Sequence, residues 1–208
     1  MIPTEIGNLR KLTTLAMFNS GIRAIIPSEL GSGLQNLTLL DLSGNGLKGP
    51  IPDVLLRLKK LRALYLNDNE FTGTISKGQW EFLGTMERVV LYHNQFSGTL
   101  PKDIGDILSN RTKVFDIEYN FFSGSIPVSL ARVSNLEYLY LSANLFTGTI
   151  PENLFASRTL SLHGNNFTGS VPQSVCNAVT SSGDGTIVYD CDGSLVCDCD
   201  CTCAQETF

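Results

Sequence analysis

Before Cys176 this chain of 208 residues holds no cysteine, so no disulfide and no thiolate-bound metal can brace most of its length. It has two histidines, His93 and His163, which leaves little for imidazole chemistry. No run comes near the roughly 18 consecutive apolar residues that a helical membrane span needs. Charged residues are sparse at 17% and sum to a net −5, which speaks against nucleic acid or an anionic membrane as partner. What is present is apolar: 42% of the residues, enough in a chain of this length for one continuous core.

Those apolar residues follow a spacing. The pattern Leu-x-x-Leu-x-Leu-x-x-Asn-x-Leu/Phe-x-Gly-x-Ile-Pro recurs seven times, starting at Leu12, Leu37, Leu61, Met86, Thr112, Leu136 and Ser157. Successive starts lie 25, 24, 25, 26, 24 and 21 residues apart. That is the period of leucine-rich repeats, so a solenoid of stacked coils is expected, none of which can bury its apolar side alone.

One coil shows why each residue type sits where it does. In the coil from Leu136, alternation around Leu139 and Leu141 is the period of a short strand with one face buried, which turns Tyr138, Tyr140 and Ser142 outward. Asn45, Asn69, Asn94, Asn120, Asn144 and Asn165 follow their strands where the backbone must turn. Their amides are expected to form a ladder that satisfies main-chain groups of the next coil. Phe71, Phe96, Phe122, Phe146 and Phe167 come two positions later and are expected to stack into a buried spine. On the opposite side Pro127, Leu130, Val133 and Leu136 are three apart, which suits a tight three-residue helix begun by proline.

Gly49-Pro-Ile51-Pro52, Gly98-Thr-Leu100-Pro101, Gly124-Ser-Ile126-Pro127 and Gly148-Thr-Ile150-Pro151 resemble the plant-type subclass of leucine-rich repeats, found in receptor-kinase ectodomains and polygalacturonase-inhibiting proteins. The resemblance implies a right-handed α/β solenoid with a concave parallel β-sheet and convex 3₁₀ helices. The repeats occupy residues 1–172 and a cysteine-rich cap 173–208. Departures are Ser20 and Ala24 for the Asn and Gly of the first coil, Ser76 for a proline, and Ser157 for a leucine in a shortened last coil. Members of the family usually begin with a cysteine-bearing cap, whereas Met1-Ile-Pro starts in mid-repeat. A fragment of a longer product, a misassigned start or a partner covering that end are the expectations.

All six cysteines, Cys176, Cys191, Cys197, Cys199, Cys201 and Cys203, fall in the last 33 residues. An even count in a short non-repeating segment reads as a disulfide cap formed in an oxidising compartment, with the pairing open. The rival is a soft-metal site, since Cys197-Asp-Cys199-Asp-Cys201-Thr-Cys203 resembles metallothionein tracts. The tail also resembles the cap of diatom-type leucine-rich repeat proteins. Sequons at Asn36, Asn110 and Asn166 fit a secreted, cell-surface or other lumenal protein.

Recognition is expected on the outward positions of the concave sheet. Seven strands about 4.8 Å apart make a strip roughly 29 Å long, a size suited to a peptide, a protein loop or several sugars. Coils three to six place Tyr65, Tyr92, Tyr119, Tyr138 and Tyr140, five of the six tyrosines, beside Asn67, Asp68, His93, Asp116 and Glu118. Tyrosine couples a large apolar face to a polar tip, and the acids favour a basic or hydroxyl-rich partner. The acids around His93 predict an affinity that changes between about pH 5 and 7. No nucleophile stands beside His93, so no catalytic residue, metal or cofactor is assigned.

The resemblance implies a protein or peptide partner, or a secreted hydrolase, and a parent chain that a membrane anchors. Oligomeric state stays open, and membership of a larger membrane or extracellular assembly is an alternative. A different alternative rests on Thr72-Gly-Thr74, Ser97-Gly-Thr99, Ser123-Gly-Ser125, Thr147-Gly-Thr149 and Thr168-Gly-Ser170. These stack into hydroxyl rows that resemble the flat faces of some ice-binding proteins.

Overall fold

The computed structural model describes residues 1–154, 158–181, 185–190, 195–196 and 202–204. Alternating burial makes a short strand in every coil, and parallel pairing joins these strands into one concave sheet. Its order is Thr14–Ala16, Leu39–Asp41, Ala63–Tyr65, Arg88–Val90, Val114–Asp116, Tyr138–Tyr140, Thr159–Ser161, Thr186–Asp190 and Thr202–Ala204. The last two strands carry the sheet beyond the seven repeats read from the sequence. Register is strict: Tyr65 pairs with Val90, Val90 with Asp116, Asp116 with Tyr140 and Tyr140 with Ser161.

Leu40, Leu64, Val89, Phe115, Leu139 and Leu160, the middle residues of successive strands, are wholly buried. The phenylalanine spine lies behind them. Phe71 and Phe96 stack at 5.9 Å, Phe96 and Phe122 at 6.4 Å, and Phe146 and Phe167 at 6.3 Å. The asparagine ladder is present but runs backwards from the expectation, toward the preceding coil. Asn94 Nδ2 donates to the Leu66 carbonyl at 2.9 Å, and its Oδ1 accepts the Phe71 N–H at 3.0 Å. Asn120 does the same to Leu91 and Phe96.

Past each asparagine the chain forms a second sheet of strands Lys48–Gly49, Glu70–Thr74, Gln95–Thr99, Phe121–Gly124, Leu145–Gly148 and Asn166–Phe167. The convex side carries 3₁₀ turns at Thr4–Asn8, Asp53–Arg57 and Val128–Arg132. It also carries α turns at Ser28–Gly33, Lys77–Leu83, Ile104–Ile107 and Gln173–Ser181. Ser76, the departure from proline, explains one α turn. Its hydroxyl accepts the Gln79 N–H while its own N–H donates to Gln79 Oε1 at 2.9 Å, a capping box that proline cannot make. The helix so begun drives Trp80 into the core against Phe115 and Phe122.

Cys176 is buried on the last helix and is disulfide-bonded. Cys203 belongs to the strand Thr202–Ala204. Cys191, Cys197, Cys199 and Cys201 lie outside the described residues, as does Ser157. No helix among the described residues is long and apolar enough to cross a membrane.

Candidate recognition surface

The residue before each ladder asparagine must turn the chain off the concave sheet, and it does so with positive φ. Gly44 and Gly164 take this corner in coils two and seven, at +63° and +64°. Between them it is held by Asp68 at +54°, His93 at +50°, Tyr119 at +50° and Ala143 at +49°. A side chain in this left-handed region costs about 1 kcal/mol or more, and large ones are seldom kept there without a gain elsewhere.

Stacking sets these corner side chains in a line. His93 Nδ1 lies 2.8 Å from Asp68 Oδ1. The imidazole meets Tyr119 edge-on at 4.4 Å and Tyr92 edge-on at 5.3 Å. Asn67 Nδ2 donates to Asp68 Oδ2 at 2.7 Å, so both oxygens of that carboxylate are directed. Burial first, then the charge of Asp68, raises the Tyr92 hydroxyl above its usual range and keeps it a neutral donor. Asn67, Asp68, Tyr92, His93 and Tyr119 thus form one polar and aromatic cluster at the rim.

Tyr138 and Tyr140 form a second group, stacked at 6.0 Å with their rings 16° apart. Burial foremost raises the Tyr140 hydroxyl as well, with Asp116 and Glu118 adding to it and a hydrogen bond to Thr159 opposing it. Asp116 lies between the two groups and is 8% exposed. Burial, then the charge of Glu118, pushes its carboxyl up to about 7, although the Glu118 N–H bonds it at 3.2 Å. Tyr65 stands apart, because the buried Val90 takes the paired position between it and Asp116.

Glu118 does not serve His93 as the sequence reading expects. Its carboxylate accepts the hydroxyl of Ser142, which itself accepts from Ser161 at 3.0 Å, and Ser161 Oγ lies 3.2 Å from His163 Nδ1. Ser142 and Ser161 are buried at 0% and 3% exposure, so this chain of hydroxyls fixes Glu118 and offers no open nucleophile. The relay was missed because it joins three coils whose residues are each unremarkable in sequence.

A second feature was also missed. From coil three to coil seven the residue entering the concave strand alternates in charge along the solenoid: Arg62, Glu87, Lys113, Glu137 and Arg158. Glu137 meets Lys113 at 3.0 Å and Arg158 at 3.5 Å, and its carboxyl is held low chiefly by the hydrogen bond from Lys113. The row borders a cavity of about 600 Å³ that Asn110 also lines. Lys113 and Arg158 therefore sit along the entry edge paired with Glu137, while acids prevail across the strip.

Of the sequons, Asn110 and Asn166 are exposed. Asn36 is half-buried, with its amide donating to the Arg10 carbonyl and accepting from Lys60. The hydroxyl rows along the second sheet are solvent-facing, but a glycine with φ of +79° to +92° sits in each of its strands from Lys48–Gly49 to Leu145–Gly148. Such a residue breaks the period-two alternation of a regular strand.

Strict parallel stacking, an asparagine ladder and a second sheet at each turn define a plant-type leucine-rich repeat protein. The chain belongs to that family. Leucine-rich repeat models match residues 10–71, 135–156 and 158–178. Receptor-like protein 41 of Arabidopsis thaliana is 35% identical over 152 residues, 72% of this chain and 17% of that protein. The ectodomain of the Arabidopsis receptor kinase HAESA, crystallised with an N-terminally extended IDA peptide hormone, aligns with a TM-score of 0.80 at 25% identity. That match covers 98% of this chain and 33% of the other. A plant ice-binding protein aligns at a TM-score of 0.59 and 25% identity over 99% of this chain and 80% of its own. The chain spans 16 to 17% of the length of the first curated relatives it matches.

Proposed function

We propose that this chain is a non-enzymatic recognition module that binds an extended peptide or protein segment along its concave strip, outside the cell or at its surface. The observation that carries the reading is the corner row. Asp68, His93 and Tyr119 keep left-handed backbone on three successive coils and touch one another across the rim. Strain retained at adjoining positions whose side chains face solvent is better explained by a ligand than by packing. That a structurally similar ectodomain forms a complex with a peptide hormone supports a peptide as the kind of ligand.

The site comprises Tyr65, Asn67, Asp68, Tyr92, His93, Asp116, Glu118, Tyr119, Tyr138 and Tyr140, with Tyr65 at its margin. The repeats at 1–172 carry it, and a disulfide cap at 173–208 closes the stack, Cys176 being one of its bridged residues. Asn110 and Asn166 are the sequons open to glycosylation. The test is selection of displayed random decapeptides on the purified protein. Recovered peptides should lose about 1 to 2 kcal/mol of affinity with Tyr92→Ala and again with Tyr140→Ala, measured by calorimetry. Failure to recover any binder, or binders indifferent to both changes, ends the reading.

The exposed hydroxyl rows and the likeness to a plant ice-binding protein support a second reading, adhesion to ice through the second sheet. Thermal hysteresis that disappears when Thr74, Thr99 and Thr149 become Val is its signature; no hysteresis at all removes it.

A further inference from the structure

The strip is built over an acid that lacks a base. Asp116 points to the concave side, since Phe115 and Ile117 on either side of it are wholly buried in the core. It is nevertheless only 8% exposed, and the outward Val90 and Val114 are covered to the same degree. The floor of the strip is therefore recessed here. Tyr140 pairs with Asp116 from one side, and Tyr92 follows Val90 two residues on from the other. Both phenols lie within electrostatic reach of the carboxylate.

One oxygen of Asp116 accepts the Glu118 N–H; no further hydrogen bond and no ion pair reaches the carboxylate among the described residues. The charges that act on it are negative, Glu118 from its own coil and Asp68 from coil three. The bases of the flanking coils are directed elsewhere. His93 is held by Asp68, Arg88 acts on Glu137, Lys113 pairs with Glu137, and His163 contacts Ser161. A buried acid flanked by two tyrosines, with no cation of its own, matches an ammonium or guanidinium group, which gains from the charge and from neighbouring aromatic rings.

We infer that Asp116, flanked by Tyr92 and Tyr140, is the subsite for one basic side chain, lysine or arginine, of a peptide lying along the concave strip. The inference rests on the recognition reading and adds the ligand's chemistry to it. It also sets a pH dependence. With the carboxyl titrating at about 7, the subsite is neutral in mild acid and charged above neutrality. A bound cation stabilises the ionised form, so the Asp116 proton leaves to solvent on binding.

The decapeptides recovered by display supply the test. They should share a lysine or arginine, and norleucine or citrulline in its place should weaken binding at least about tenfold at pH near 7.5. Asp116→Asn, nearly isosteric, should weaken the basic peptide by a similar factor and remove any further effect of the neutral replacement. Wild-type affinity should rise about tenfold from pH near 5.5 to 7.5, whereas Asp116→Asn should lose most of that rise. The peptide replacement tests the idea on unaltered protein should the variant fold poorly. Recovered peptides that lack a base, or that bind Asp116→Asn as well as wild type, overturn the subsite and leave peptide recognition standing. Recovery of no peptide overturns both.

Discussion

The two sheets of each coil solve the same turning problem with different residues. On the second sheet, positive φ always falls on glycine, at Gly49, Gly73, Gly98, Gly124 and Gly148. A Cβ on Gly98 would lie 3.0 Å from Thr74 Cγ2, and one on Gly124 would lie 3.1 Å from Thr99 Cγ2. The threonine methyl of one coil thus rests against the glycine of the next, which gives those hydroxyl rows a packing role. On the concave rim the central coils put Asp68, His93 and Tyr119 where coils two and seven use Gly44 and Gly164, while coils one and six use the smaller Asn19 and Ala143. One sheet has minimised strain, and the other retains it under side chains that face a groove. Selection for stability alone does not produce the second arrangement.

The largest effect that separates the two sheets is expected at Asp116. Its carboxyl titrates at about 7 in the folded chain against 3.8 ordinarily. Below about pH 3 the group is neutral folded and unfolded, and it costs nothing. As pH rises from there to 7 the unfolded chain loses its proton first, so folding weakens by up to about 4 kcal/mol and then levels off. Asp116→Asn should therefore match wild type near pH 3 and exceed it by up to about 4 kcal/mol at pH 8, as read by chemical denaturation. Equal stabilities at pH 8 would mean that the acid is not held in a costly site. On the second sheet, Gly98→Ala should cost about 1 to 3 kcal/mol at every pH, because alanine is strained at φ +92° and crowds Thr74.

What could be read in the sequence follows from what repeats. Leu139, Asn144 and Phe146 recur in coil after coil, so their burial and the ladder could be inferred from spacing alone. The direction of the ladder could not, since an asparagine at a turn has a coil on each side of it. Outward residues such as Tyr92 could be assigned to a face by period two, whereas His93 and Tyr119, out of phase with it, meet Tyr92 because the positive-φ corner turns them there. Period two does not reveal that Val90 separates Tyr65 from Asp116, or that Glu118 is taken by Ser142 and Ser161. Those facts depend on side-chain rotamers and on neighbours about 25 residues away, to which a single coil's pattern is blind. Ser76 looked like a lost proline in isolation; only the Gln79 side chain bonding back to its N–H makes it a helix start.

The finest contrast lies at Tyr119, half-exposed at 48%. Tyr119→Gly relieves left-handed strain worth about 1 kcal/mol or more, but it forfeits the contact with His93 and makes the unfolded chain freer by a comparable amount. The terms nearly cancel, so stability should change by less than about 1 kcal/mol, far less than the loss expected for Gly98→Ala one sheet away. Peptide affinity, by contrast, should fall with the ring. A chain destabilised by more than about 2 kcal/mol without that ring would mean that the corner row holds the coils together. The strain would then need no ligand to explain it.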